Sequence, residues 1–146
     1  MSVPPTPQDR IGAEAAGFFT AYSAAFAAYD AERIVALFDR PMTVLTAGRT
    51  IAYAEETAVR AYVQGLLDTY REIGLAWPVP AAVWAWPCGA DIARVEVLWI
   101  LRNHEREEIM RFSTSYLLRR AGDDGWKLAV VVSYEEPVKL PAATPA

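Results

Sequence analysis

Phenols and indoles, rather than acids or imidazoles, are the side chains along the apolar stretches of this sequence that are equipped to do chemistry. Tyr22 lies one helical turn before Phe26 in a run rich in alanine and aromatics. A phenol on an apolar helix face needs a polar partner, a ligand carbonyl where the face borders a cavity and a backbone carbonyl or water where it does not. Trp99, Tyr116 and Tyr134 fall on alternating positions of strand-like segments, where they either build an aromatic wall for a flat ligand or simply fill a core. Glu96 is the carboxylate of most interest, because it sits between apolar neighbours in such a segment. Facing outward on the side of Arg94, it makes a cross-strand or intersubunit ion pair, which is the expectation. Turned inward, desolvation raises its pKa and makes it a candidate base.

The remaining reactive residue types point to surface roles. His104 is the single histidine and occupies the polar turn Arg102 to Arg106; Cys88 is the single cysteine, between Pro87 and Gly89 with no histidine nearby, so a catalytic thiol is not expected. One His and one Cys cannot assemble the usual zinc site within one chain, and no metal is expected. No Gly-rich strand-to-helix turn offers a phosphate or dinucleotide cradle, and no cofactor is expected. Asp39 and Arg40 are expected to pair at the surface and Arg49 to sit in a solvated loop. Trp77, Trp84 and Trp86 flank Pro78, Pro80 and Pro87 and suit a lid over a cavity mouth or the packing of an interface.

The elements that must position these groups belong to one domain. A chain of 146 residues buries roughly two thirds of the surface its unfolded form exposes. At 53% hydrophobic and 12% aromatic residues, it carries surplus apolar surface suited to a cavity or a subunit interface. Against 18 acidic residues stand 14 basic ones, scattered along the chain for a net charge of −4, which gives nucleic acid no electrostatic footprint. No apolar run reaches the ~20 residues that span a bilayer. The N-terminus lacks the basic and apolar regions of a signal peptide, so the cytoplasm is the default location, and a lone cysteine fits a reducing compartment. Residues 1–7 and 137–146, each with three prolines, read as poorly ordered ends around a domain at 8–136.

Within that domain Ile11, Ala15, Phe18, Phe19, Tyr22, Ala25, Phe26 and Tyr29 recur at helical spacing and predict a long amphipathic helix from Gln8 to Tyr29. Asp30 suits the N-cap of a short helix at 31–38, which Pro41 stops from continuing. An extended piece at 42–46 and a turn at Ala47-Gly48 lead to a helix at 54–73, ended by Gly74. The period then changes to two, predicting strands at 81–87, 91–102, 108–120 and 126–135 in an antiparallel meander. Pairing Arg120 with Trp126 puts Phe112, Thr114, Tyr116 and Leu118 on one face with Trp126, Leu128, Val130, Val132 and Tyr134, packed on the helices. The opposite face, with Arg111, Ser113, Ser115, Ala129, Val131 and Ser133, suits a homodimer interface. The fold class is α+β, three helices on a strongly bent antiparallel sheet.

The run Arg33-Ile34-Val35-Ala36-Leu37-Phe38 and the hairpin from Leu117 to Leu128 carry a resemblance to the nuclear transport factor 2-like superfamily, in its SnoaL-like and ketosteroid isomerase-like branch. It extends over nearly all of 8–136. The resemblance implies a cone-shaped, cystatin-like α+β barrel. The family's isomerases use a carboxylate base on the first strand, with a Tyr and a protonated Asp holding the enolate oxygen. Carried over, Tyr22 falls at the oxyanion tyrosine, Thr46 at the base, and Thr114 to Tyr116 at the second oxyanion position. Threonine cannot abstract a carbon-bound proton near neutral pH, and no carboxylic acid stands at 114–116. The reading is therefore a pocket domain for a small, largely apolar molecule, with Tyr22, Phe26, Thr46, Trp99, Thr114, Tyr116, Val132 and Tyr134 as ligand-binding residues and no catalytic residue assigned. Two alternatives stand beside it: a cyclase- or isomerase-like enzyme for a polyketide- or steroid-sized substrate, with Tyr22 as oxyanion donor, and a purely structural dimerisation domain.

Overall fold

In the computed structural model, which describes residues 3–122 and 125–135, the N-terminal amphipathic run is helix α1 (Pro7–Ala27). It starts inside the stretch expected to be an unstructured end. The Thr6 hydroxyl accepts from the Asp9 amide at 3.0 Å, Asp9 accepts in return from the Thr6 amide at 3.1 Å, and Pro7 occupies the first turn. This reciprocal cap satisfies donors that the helix leaves free and makes Pro7 a helix starter rather than a breaker. Asp30 caps α2 (Ala31–Leu37) by accepting from the Arg33 amide at 3.2 Å.

The chain passes without a loop from α2 into β1 (Phe38–Leu45), across a cis Arg40–Pro41 bond. A four-residue strand, β2 (Thr50–Tyr53), follows, too short to leave a period in the sequence. Helix α3 (Glu56–Glu72) buries Val59, Tyr62, Val63, Leu66, Leu67 and Tyr70, and Gly74, at φ +79°, ends its C-terminal turn. Then come β3 (Trp77–Cys88), β4 (Ile92–Arg102), β5 (Glu108–Arg120) and β6 (Trp126–Val132). The segment expected at 137–146 lies outside the described residues.

The strands form one sheet in the order β2-β1-β6-β5-β4-β3. Strands β3 to β6 are the expected antiparallel meander, but β1 joins β6 in parallel, so the sheet is mixed. It is curved and unclosed rather than a barrel, with β2 and β3 as its edges. The long β3 edge is protected in two ways. Pro78, Pro80 and Pro87 lack amide donors, and α1 lies along the strand, where Gln8 Nε2 donates to the Ala85 carbonyl and Ser23 Oγ to that of Pro78. Both devices discourage pairing by another chain.

One irregularity decides which side chains of β6 face the helices. Leu117 pairs with Val130 but Leu118 pairs with Leu128, so Ala129 is an extra residue and the inside–outside alternation reverses there. Trp126 and Leu128 are buried, as expected; beyond the bulge Val131 and Ser133 are buried instead of Val130 and Val132, and Tyr134 is 48% exposed.

The surface pairing of Asp39 with Arg40 is also replaced. Neighbours on a strand point to opposite faces, and Asp39 takes a bidentate pair with Arg119 at 2.6 and 2.9 Å while Arg40 reaches Glu56 at 3.7 Å. The hydrogen bonds from Arg119 hold the Asp39 carboxyl below its ordinary pKa against the opposing effect of burial. A depressed folded-state pKa adds stability above the unfolded value of about 3.9, and that stability is lost as pH falls through the folded value. Asp39→Asn is therefore expected to lower the thermal midpoint near neutrality and to converge with the parent protein in the acid range. Thermal unfolding across pH checks this, and a constant difference down to strong acid would refute the assignment.

Candidate functional site

Three elements close an aromatic cavity on the concave side of the sheet. Helix α1 supplies Tyr22 and Phe26, α3 supplies Tyr62, Leu66 and Tyr70, and the sheet supplies Pro78, Trp99, Leu101, Phe112, Thr114, Tyr116 and Val131. The helical period of α1 stacks Phe18, Tyr22 and Ala25 on its buried side together with Phe19 and Phe26, while alternation on β4 and β5 sends Trp99, Thr114 and Tyr116 to meet them. Ring centroids lie 4.7 Å apart for Tyr22 and Phe26, 5.7 Å for Tyr22 and Trp99, and 4.6 Å for Phe19 and Tyr116. All three are tilted contacts, and Phe19 also meets Trp99 edge-on at 6.1 Å, the T-shaped arrangement that aromatic quadrupoles favour.

Inside this apolar shell the polar atoms are few. The Trp99 indole donates to the Tyr116 hydroxyl at 2.8 Å, a buried bond that locks the two strands' rings together. Thr114, 1% exposed, has a hydroxyl oxygen without a hydrogen-bond partner among the described residues. The free volume of the cavity is about 20 Å³, room for a water-sized group and not for a second ring. Among the described residues that line it, the titratable groups are tyrosines alone; no carboxylate, imidazole, amine or thiol is present. Nor, among the described residues, do three or more His, Cys, Asp or Glu side chains come together as a metal-binding group.

Of the residues singled out in the sequence, Tyr22, Phe26, Trp99, Thr114 and Tyr116 meet in this cavity, whereas Thr46, Val132 and Tyr134 do not. Thr46 is in the β1–β2 turn, where its amide donates to the Arg49 carbonyl at 2.9 Å. Val132 and Tyr134 are displaced to the other face by the bulge at Ala129, and Val131 lines the cavity in their place. The α3 contribution, Tyr62, Leu66 and Tyr70, was visible as an apolar helix face but nothing in the sequence tied it to the site.

Glu96 faces outward, as expected, but among the described residues it makes no cross-strand ion pair. Its carboxylate accepts hydroxyl hydrogen bonds from Ser115 and Tyr134, and Arg94 instead lays its guanidinium 4.6 Å from the centroid of the Trp86 ring. Burial, followed by the adjacent Glu96 carboxylate, pushes the Tyr134 phenol up from its ordinary pKa. Trp77, Trp84 and Trp86 are 43%, 49% and 39% exposed and none lines the cavity, so they form no lid over it. His104 touches only the edge of Trp77 among the ring contacts, at 6.4 Å between centroids, and Cys88 is exposed.

Two substitutions test this geometry. Thr114→Val keeps the shape and deletes the unpartnered hydroxyl, and is expected to raise stability by about 1 kcal/mol; a loss in urea denaturation would mean that the hydroxyl is satisfied. Tyr116→Phe strands the Trp99 indole and is expected to cost about 2 kcal/mol in the same assay.

A family model described as NTF2-like protein (DUF6841) matches residues 13–136. No curated protein matches the chain. Solved structures with the same fold include a protein of unknown function with a cystatin-like fold from Nostoc punctiforme, with a TM-score of 0.68 and 14% identity over 92% of this chain and 96% of that one. An NTF2-like protein with a cystatin-like fold from Novosphingobium aromaticivorans aligns with a TM-score of 0.66 and 15% identity over 86% of this chain and 81% of that one. A ketosteroid isomerase-like protein from Erwinia carotovora aligns with a TM-score of 0.54 and 17% identity over 86% of this chain and 97% of that one. At these identities the likeness is one of fold.

Proposed function

The chain belongs to the NTF2-like family DUF6841, and we propose that within this fold it serves as a pocket domain for a small, largely apolar molecule carrying one hydrogen-bonding group. The observation that carries the proposal is the buried Thr114 hydroxyl, without a partner among the described residues, in a cavity otherwise walled by aromatic and aliphatic side chains. An unsatisfied buried hydroxyl costs about 1–3 kcal/mol, and a ligand that hydrogen-bonds to it recovers that cost on binding. The free volume of about 20 Å³ is far below the roughly 300–1,000 Å³ of ordinary ligand pockets. The ligand is therefore no larger than a single ring, which requires the lining aromatic side chains to rotate and widen the space, and is not a steroid or a folded polyketide.

The enzymatic alternative, suggested by the isomerase-like neighbour, wants a base within hydrogen-bond reach of a carbon-bound proton, and the lining supplies only phenols. A second reading has an observation of its own. The nearly filled cavity and the exposed Trp84, Trp86 and Tyr134 on the outer face favour a module that associates with a second copy of itself.

Calorimetric titration with phenol separates these. Saturable heat is expected with the parent protein, with affinity reduced about five- to tenfold in Thr114→Val, the loss of one hydrogen bond. No binding of phenol, together with a dimer in sedimentation, would favour the association module. Turnover of a Δ5-3-ketosteroid would reinstate the enzyme.

A further inference from the structure

On the outer face of the sheet, turned away from the aromatic cavity, a carboxylate and a guanidinium stand close together without an ionic partner. Arg94 and Glu96 flank the fully buried Val95 on β4, so both project to the same side, about 7 Å apart along the strand. Among the described residues neither takes part in a salt bridge. They do not pair with each other because each is held by something else. Ser115 and Tyr134 donate one hydroxyl to each oxygen of Glu96, and the Trp86 ring holds the Arg94 guanidinium. Hydroxyl donors orient a carboxylate without neutralising it, and Glu96 is only partly exposed. Trp84 is directly across the β3–β4 ladder from Glu96, and Trp86 directly across from Arg94. Together with Ser115 these side chains line a groove of about 490 Å³.

We propose that this groove binds a small zwitterion of the trimethylammonium carboxylate class, its onium group against Glu96 and the Trp84 ring and its carboxylate on Arg94. The chemistry follows from the two ends. An onium ion is drawn to the face of an indole and to a carboxylate behind it, and a guanidinium receives a carboxylate through two parallel hydrogen bonds. The two protein charges are of opposite sign, fixed in place and spaced along one strand, so a ligand with both charges satisfies both where a simple cation or anion meets attraction at one end and repulsion at the other. The site owes nothing to the aromatic cavity.

The test is titration of the full chain with γ-butyrobetaine, tetramethylammonium chloride and sodium butyrate at constant ionic strength, followed by tryptophan fluorescence. Saturable binding is expected for γ-butyrobetaine, weakened about tenfold by Glu96→Gln and by Trp84→Ala. Arg94→Gln is expected to reduce γ-butyrobetaine to the level of tetramethylammonium, while tetramethylammonium itself binds somewhat more tightly once the repulsion of the guanidinium is gone. Glu72→Gln, an exposed charge on α3, controls for net charge and leaves the titration as it was. Circular dichroism establishes that each variant is folded. Failure of the parent protein to saturate, or equal binding by folded Glu96→Gln, would overturn the proposal. So would a sedimentation profile in which Trp84→Ala turns a dimer into a monomer while no titration saturates, since the face would then be a contact between copies.

Discussion

The concave face of an open, curved sheet has to be covered by something as apolar as itself, and one stripe of rings on α1 meets that demand. Tyr22 follows Phe18 and Phe19 by four and three residues and precedes Phe26 by four, all four are buried, and Phe19 and Tyr22 reach Trp99 and Tyr116 on the sheet. The other features follow from this contact. The capping box at Thr6 and the α1 bonds to β3 carbonyls keep the helix in register with the sheet it covers, while α3 closes the same space from the side with Tyr62 and Tyr70. Covering the face with rings also sets the character of what remains inside. Large planar side chains leave narrow gaps between them, so the residual space is small and apolar, with its polarity confined to a few hydroxyls and one indole.

Much of this was legible in the residues themselves, because burial leaves a period. The helical spacing of α1 and α3 and the alternation of β4 and β5 identify their inward side chains, and these include Tyr22, Phe26, Trp99, Thr114 and Tyr116. The cap at Asp30 and the glycine after α3 are local devices that a sequence displays directly. What was not legible depends on contacts between distant segments. The bulge at Ala129 is a property of the β5–β6 pairing, and a run of consecutive valines carries no alternation to reveal it; Val131 therefore took the place assigned to Val132, and Tyr134 went to the opposite face. Likewise the parallel pairing of β1 with β6 and the choice of Arg119 as the partner of Asp39 join residues about eighty to ninety positions apart.

The polar residues are divided between the two faces of the sheet in a way that separates two kinds of chemistry. Inside, every titratable lining group among the described residues is a phenol. Outside, Arg94 and Glu96 sit among Trp84, Trp86, Ser115 and Tyr134, where solvent keeps charge inexpensive. Alternation along β4 is what accomplishes the division, since Val95 and Val97 turn inward on either side of Glu96.

That division also explains why likeness of fold to an isomerase-like protein does not transfer a reaction. A proton abstraction needs a base whose pKa is matched to the task and which the fold aims into the pocket. The position that the family resemblance assigns to that base holds Thr46, which the structure places in a turn outside the cavity. Glu96, a partly buried carboxylate of the sheet, is on the wrong face, and moving it inward would take a one-residue slip of β4. Such a slip would also expose Val95, Val97 and Trp99, at about 2 kcal/mol or more for each buried side chain. The same hydrophobic pattern that builds the aromatic wall therefore keeps this carboxylate out of the cavity, and leaves an interior whose polar groups are hydroxyls and one indole.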